Sequence, residues 1–239
     1  MSAKDHLRTL LNFLHLDLTK NLEYDRLTKA IMKEVIRPGF NCIDVGCHKG
    51  EILDYILQYS PDGKHYGFEP IPYLYDHLKT KYKGKAEILP YALSDKTGTT
   101  TFQLVKNAPA YSGINKRKYD IKDPEIEEIQ VELRTLDEII PKDLKINFIK
   151  IDVEGGEFDV LKGGKDLIKR NQPFVIFEFG LGASDYYGTK PVELYHFLTG
   201  SGLKISTLKS FIKRKPSLTA HEFELLYNTN KEYYFLAWV

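Results

Sequence analysis

The chain has 239 residues, of which 42% are hydrophobic, and its 34 Lys and Arg nearly balance 33 Asp and Glu for a formal net charge of +1. That length and composition suit one large α/β unit and exclude both a stapled mini-protein and a chain disordered throughout. Near-neutrality means that no whole-molecule field draws the protein onto nucleic acid or anionic lipid, and 27 of the basic residues are lysine rather than the fork-shaped arginine.

Along the chain, residues 3–16 carry Leu7, Leu10, Leu11 and Leu14 at helical spacing. Residues 24–36 form a second stripe through Leu27, Ile31 and Val35, stopped by Pro38-Gly39. A strand over 40–45 then runs into a glycine turn. Further elements follow as a helix over 52–59, a strand over 66–68, a helix over 72–81 and a third strand over 86–93. Two β-rich runs, 99–104 and 128–133, flank a long polar stretch dotted with aromatics, and long loops in compact domains are usually functional. After a helical turn at 136–140 come a strand over 147–153, a helix over 158–170 and a strand over 174–179. A helix over 191–198 and strands over 203–208 and 233–239 complete the pattern. Alternating strands and helices imply a mostly parallel sheet covered on both faces. Ligands of such sheets bind beyond the strands' carboxyl ends, at the switch in strand order.

Cys42 and Cys47 are the only cysteines, too few for a disulfide framework or a four-cysteine zinc site, and a reduced pair suits the cytoplasm. No run of about 18 apolar residues exists to span a membrane. The apolar stretch from Leu10 to Leu18 is broken by Asn12, His15 and Asp17, which does not read as a signal peptide.

The most informative stretch is Asp44-Val45-Gly46-Cys47-His48-Lys49-Gly50. Gly46 permits a tight turn, and Gly50 opens a helix whose free N–H groups favour acceptor groups. The pattern is neither a Walker loop nor a full dinucleotide fingerprint. Nineteen residues beyond Gly50 stands Glu69, followed by Pro70, at the end of the second strand. An acid at that place accepts hydrogen bonds from ribose hydroxyls. A ribose site without a pyrophosphate cradle points to a nucleoside ligand, first of all S-adenosylmethionine. Cys47 and His48 could in principle form a nucleophile–base pair, but adjacent residues rarely face one another, and a packed cysteine beside a loop histidine is the plainer reading.

These segments, with Ala92-Leu93-Ser94-Asp95, Leu133-Arg134-Thr135-Leu136-Asp137 and Ile149-Lys150-Ile151-Asp152-Val153-Glu154-Gly155-Gly156-Glu157, resemble the FkbM-type methyltransferases of the class I superfamily across roughly residues 38–180. Where the family's usual first motif has an Ala-Asn pair, this chain has Cys47-His48. The resemblance implies a Rossmann-like α/β fold, with a seven-stranded mostly parallel sheet and an antiparallel last strand. It also implies S-adenosylmethionine as donor and transfer to a hydroxyl oxygen, often of a sugar or polyketide. By matching position Asp44, Gly46, Cys47, His48 and Gly50 would surround the methionine and sugar end, and Glu69 with Pro70 would hold the ribose. Ala92, Leu93 and Ser94 would flank the adenine, and Asp152 would face the methionine or the acceptor. Residues 1–37 would then be a helical cover, 38–180 the cofactor core and 181–239 the completion of the sheet and acceptor wall of one domain.

An alcohol acceptor must lose a proton, so a base is expected nearby. Asp152 is the first candidate and Glu178 the second, since both end adjacent core strands. Lys150, two residues before Asp152, shares its face and would hold it ionised. Asp152, Glu154 and Glu178 could also hold a hard cation, although nothing in the spacing requires one and no metal is assigned. Residues 105–122 and 181–191, with Tyr111, Tyr119, Tyr186 and Tyr187, are expected to set acceptor specificity. The expected partner is a neutral hydroxylated molecule or glycan. Two other readings are an RNA-modifying protein, resting on Lys116-Arg117-Lys118, Lys213-Arg214-Lys215 and the Lys79, Lys81, Lys83, Lys85 ladder, and a cofactor-binding scaffold without catalysis.

Overall fold

The computed structural model describes residues 19–119 and 121–239, so the helix expected over 3–16 lies outside the described residues. The strands are β1 (Cys42–Val45), β2 (His65–Phe68), β3 (Glu87–Leu89), β4 (Tyr91–Leu93), β5 (Gly98–Val105), β6 (Ile126–Arg134), β7 (Phe148–Ile151), β8 (Phe174–Glu178), β9 (Lys204–Thr207) and β10 (Tyr234–Trp238). Seven of them form one sheet in the order β3-β2-β1-β7-β8-β10-β9. Its neighbours pair in parallel from β3 through β8, and β10 inserts antiparallel between β8 and β9. Strand order reverses between β1 and β7, which sets a crevice beyond their carboxyl ends.

β1, β2 and β7 are buried along their whole length, as near-continuous apolar runs with helices on both faces should be. Alternation sends Ile43, Ile149, Val175 and Phe177 to one core and Cys42, Phe148, Ile176 and Leu236 to the other. The second core is covered by the helix Lys20–Val35 through Ile31 and Met32. The same alternation places Asp44, Lys150, Glu178 and Tyr234 on that second face, at the edge toward the crevice. The register pairs Asp44 with Lys150 and Glu178 with Tyr234.

Three expectations are corrected. The strand expected over 86–93 is two strands in two sheets, because Pro90 has no N–H to continue a ladder. β4 leaves the main sheet and pairs in parallel with β6, which pairs antiparallel with β5. The two β-rich runs therefore build a separate three-stranded sheet, whose Phe102, Leu104, Val131 and Leu133 pack with Ile71, Leu74 and Ala92. The helix expected over 158–170 is two short ones, Glu157–Gly163 and Lys165–Asn171, parted at Gly163-Gly164. A Cβ at Gly163 would run into the carbonyl oxygen of Ser94, so glycine there lets the helix close on the chain leaving β4. The strand expected to reach residue 208 stops at Thr207, whose hydroxyl accepts from Ser210 N–H and starts the helix Leu208–Ile212. The helix Ala220–Asn228 is an element the sequence pattern does not predict, although its capping box, Thr219 with Glu222, stands in the sequence.

Candidate cofactor and acceptor site

The turn after β1 begins with Gly46 at φ +82°. Its N–H and that of Cys47 both donate to the carbonyl of Phe68, at 3.0 and 3.1 Å. A Cβ on Gly46 would collide with the Asp152 carbonyl, so only glycine lets the β1 turn touch the end of β7. Gly50 closes the turn by donating to Cys47 O at 2.7 Å, and its own carbonyl lies 2.6 Å from the Tyr82 hydroxyl.

Glu69 ties this turn to the one after β2. Its carboxylate accepts from His48 N–H at 2.7 Å and from Ile71 N–H at 2.9 Å, and the residue is only 3% exposed. Burial pushes its carboxyl up to about 7 against the two N–H donors, which favour the charged form. Each oxygen keeps a further lone pair for a ligand hydroxyl.

A cleft opens above these groups. Of the residues singled out in the sequence, Gly46, His48, Glu69, Pro70, Ala92, Leu93 and Asp152 line it. Ile71, Tyr91 and Phe102 add apolar walls, and Pro109, Ala110, Ser112 and Ile114 close it from the segment after β5. Asp44, Cys47, Gly50 and Ser94 stand behind the lining. Cys47 is buried with its thiol 3.2 Å from Asp44 O and packs against Gly67, which leaves it no role as a nucleophile. Burial holds that thiol well above its ordinary range. Asp44 is 2% exposed, with Oδ2 unpartnered, and burial raises its carboxyl to about 7 although Lys150 pulls it down.

At the crevice end of β7, Asp152 keeps a third of its side chain exposed. Its Oδ2 accepts from Lys150 Nζ at 3.1 Å and from the Tyr234 hydroxyl at 2.6 Å. Burial works against its charge, but Lys150 and these hydrogen bonds win and hold it below the usual carboxylate range. Glu178 behaves oppositely: burial, then the charges of Asp152 and Glu154, drive it well up. Asp152, Glu154 and Glu178 each present an oxygen within 4.8 Å of the others. Glu157 stands behind this group, its Oε1 accepting from Val153 and Gly155 N–H at 3.0 and 3.1 Å and so shaping the loop from within.

Three contributors escape sequence reasoning. Tyr234 lies 82 positions from Asp152 and reaches it only through the insertion of β10 beside β8. Tyr24, on the covering helix, stacks on the Tyr234 ring with centroids 4.9 Å apart. Arg117 pairs with Glu154. Period-two spacing in β10 would have found the face of Tyr234, but not its partner.

The doubly wound sheet with an antiparallel insertion, its glycine turn and the buried acid after β2 are those of a class I S-adenosylmethionine-dependent methyltransferase. The FkbM methyltransferase domain matches residues 44–203, and the chain belongs to that family. S-adenosylmethionine is its cofactor. The residues fit it: an apolar slot and, at Glu69, a buried carboxylate with spare lone pairs. Among solved structures, the FkbM methyltransferase from Methylobacillus flagellatus KT is similar in fold, with a TM-score of 0.50 at 15% identity, over 91% of this chain and 52% of that one. This chain thus spans about half the length of that protein. More distant in fold are precorrin-6y C5,15-methyltransferase from Geobacter metallireducens GS-15 (TM-score 0.42, 11% identity, 90% and 89% covered) and Aeropyrum pernix fibrillarin with natively bound S-adenosyl-L-methionine (0.46, 14%, 90% and 74%). No curated protein matches the sequence. Among the described residues no helix is long and apolar enough to cross a membrane.

Proposed function

We propose that this methyltransferase acts on a hydroxyl oxygen of a sugar, glycan or other small-molecule acceptor, with Asp152 as general base. The observation that carries this reading is the state of Asp152: kept ionised by Lys150 and Tyr234, yet open to the cleft. The bound cofactor supplies a methyl group already activated by its sulfonium. Glu69 would receive the ribose hydroxyls, while Ala92, Leu93 and Ile71 exclude water around the base. Holding the acceptor oxygen in line with the methyl is worth several kcal/mol of barrier. Asp152 then takes the hydroxyl proton as the oxygen attacks. Glu178, pushed up by burial and by the neighbouring acids, stands beside the Asp152 carboxylate.

Features of the surface weaken the RNA reading. In the run 116–118 the arginine turns inward to Glu154, and Arg214 in the run 213–215 pairs with Glu34. Lys81 in the lysine ladder pairs with Asp54.

Asp152→Asn tests the role. The variant should bind S-adenosylhomocysteine as the wild type does and lose turnover by roughly 10²-fold or more, read as S-adenosylhomocysteine release across hydroxylated acceptors. Turnover within a few-fold of wild type removes Asp152 as base, and products methylated only on nitrogen remove the hydroxyl acceptor.

A further inference from the structure

Lys116-Arg117-Lys118 reads as a basic run, but the three side chains part company. Lys116 and Lys118 are exposed, whereas the Arg117 side chain is only 9% exposed. Its guanidinium forms an ion pair with Glu154, in the loop after β7, and donates to the Gly182 carbonyl at 3.2 Å, in the loop after β8. It also lies over the rings of Tyr111 and Tyr119, at 5.5 and 5.6 Å from their centroids. One planar fork therefore joins three segments that no strand pairing connects.

The flanking backbone follows. Asn115 N–H donates to the Tyr187 hydroxyl at 3.2 Å, and its side-chain amide donates to Tyr186 O at 3.1 Å. Lys118 N–H donates to the Tyr186 hydroxyl at 3.3 Å. The segment so fastened, Pro109 to Ile114, is the one that closes the cleft. Apart from the bridge between Gln103 and Gly113, it has no ladder to the sheets. Glu154, the other half of the pair, lines the same cleft and holds a left-handed φ of +61°.

We infer that Arg117 is the positioning residue of the acceptor wall, a clasp that closes the 106–119 segment over the cleft and thereby limits how fast cofactor and product leave. It acts through Glu154 and the tyrosines and touches no reacting atom. The inference rests on the cleft being the cofactor's. A buried pair broken at one partner leaves the other charge uncompensated, so each half should be costly to remove and removing both no worse than one.

The test uses the full chain in four forms: wild type, Arg117→Met, Glu154→Ala and the double variant. Release of S-adenosylhomocysteine is followed by surface plasmon resonance, and backbone hydrogen exchange is mapped in parallel without ligand. Each single variant should speed release roughly tenfold or more, and the double should be no faster than the faster single. Faster exchange should be confined to residues 103–119 and 182–188, leaving β1 and β7 protected. Arg117→Lys, which keeps the charge but not the fork, should restore only part of the slow release. Unchanged exchange in 103–119, faster exchange throughout the sheet, or effects that multiply in the double variant would overturn the clasp. A wild type that binds no S-adenosylhomocysteine overturns the cofactor reading instead, and the exchange map still decides the role of Arg117.

Discussion

Glu69→Gln is the sharpest perturbation of the cofactor site. The wild-type carboxylate receives two backbone N–H donors, at 2.7 and 2.9 Å, and so spans the turns after β1 and β2. An amide has one oxygen. Its NH₂ must then face either His48 N–H or Ile71 N–H, donor against donor, in a site 3% exposed. On the ligand side one of two ribose hydroxyls also loses its acceptor. Hydrogen bonds to a charged group contribute about 1.5–3 kcal/mol each. Losing one ligand bond and loosening the frame should therefore cost about 2–4 kcal/mol of binding, or roughly 30- to 1,000-fold in Kd. Titration calorimetry with S-adenosylhomocysteine at pH 8 reads this directly. The gap should narrow as pH falls, because the wild-type carboxyl, at about 7, itself becomes neutral. Binding near pH 7 should then release protons, seen as a buffer-dependent heat. A Kd for Glu69→Gln within threefold of wild type at pH 8 would refute the assignment.

Gly46→Ala should destabilise the fold by more than about 2 kcal/mol, since it adds left-handed strain to a collision with the Asp152 carbonyl, and the urea midpoint reads it. Tyr234→Phe removes one hydrogen bond from Asp152, so the acidic limb of the rate profile should move up by roughly one pH unit with cofactor affinity unchanged. Ligand-free stability should be greater at pH 6 than at pH 8. Burial raises Asp44, Glu69 and Glu157 to about 7, so their contribution is full below their unfolded values near 4 and is lost as pH rises through 7. Thermal unfolding at the two pH values checks the sign, and a higher midpoint at pH 8 would contradict it.

Much of the frame was legible because it rests on local rules. The helix at 72–81 starts at a proline suited to a first turn, and its observed bounds, Pro72–Lys81, are those that the sequence predicts. The buried strands β1, β7 and β8 stood out as short apolar runs ending in acid or glycine. Pro90 was visible but its consequence was not: a missing N–H says that a ladder stops, not that the chain moves to another sheet. Gly163-Gly164 likewise looks like a tolerated helix interior until the carbonyl of Ser94 is placed against it.

The sequence by itself determined the sheet class, the glycine turn, the acid at residue 69 and the carboxylates at 152 and 178, because each depends on neighbours within a few positions. Only the tertiary structure decided how the surroundings of the two strand-end acids differ. Asp152 and Glu178 look alike as strand-end acids, yet Lys150 and Tyr234 both reach Asp152 and favour its charged form, while burial and the neighbouring acids push Glu178 up. It also decided that Arg117 turns inward to Glu154, on the cleft wall, rather than joining a basic surface. Burial and long-range partners set charge in a low-dielectric site, and neither is written in local sequence.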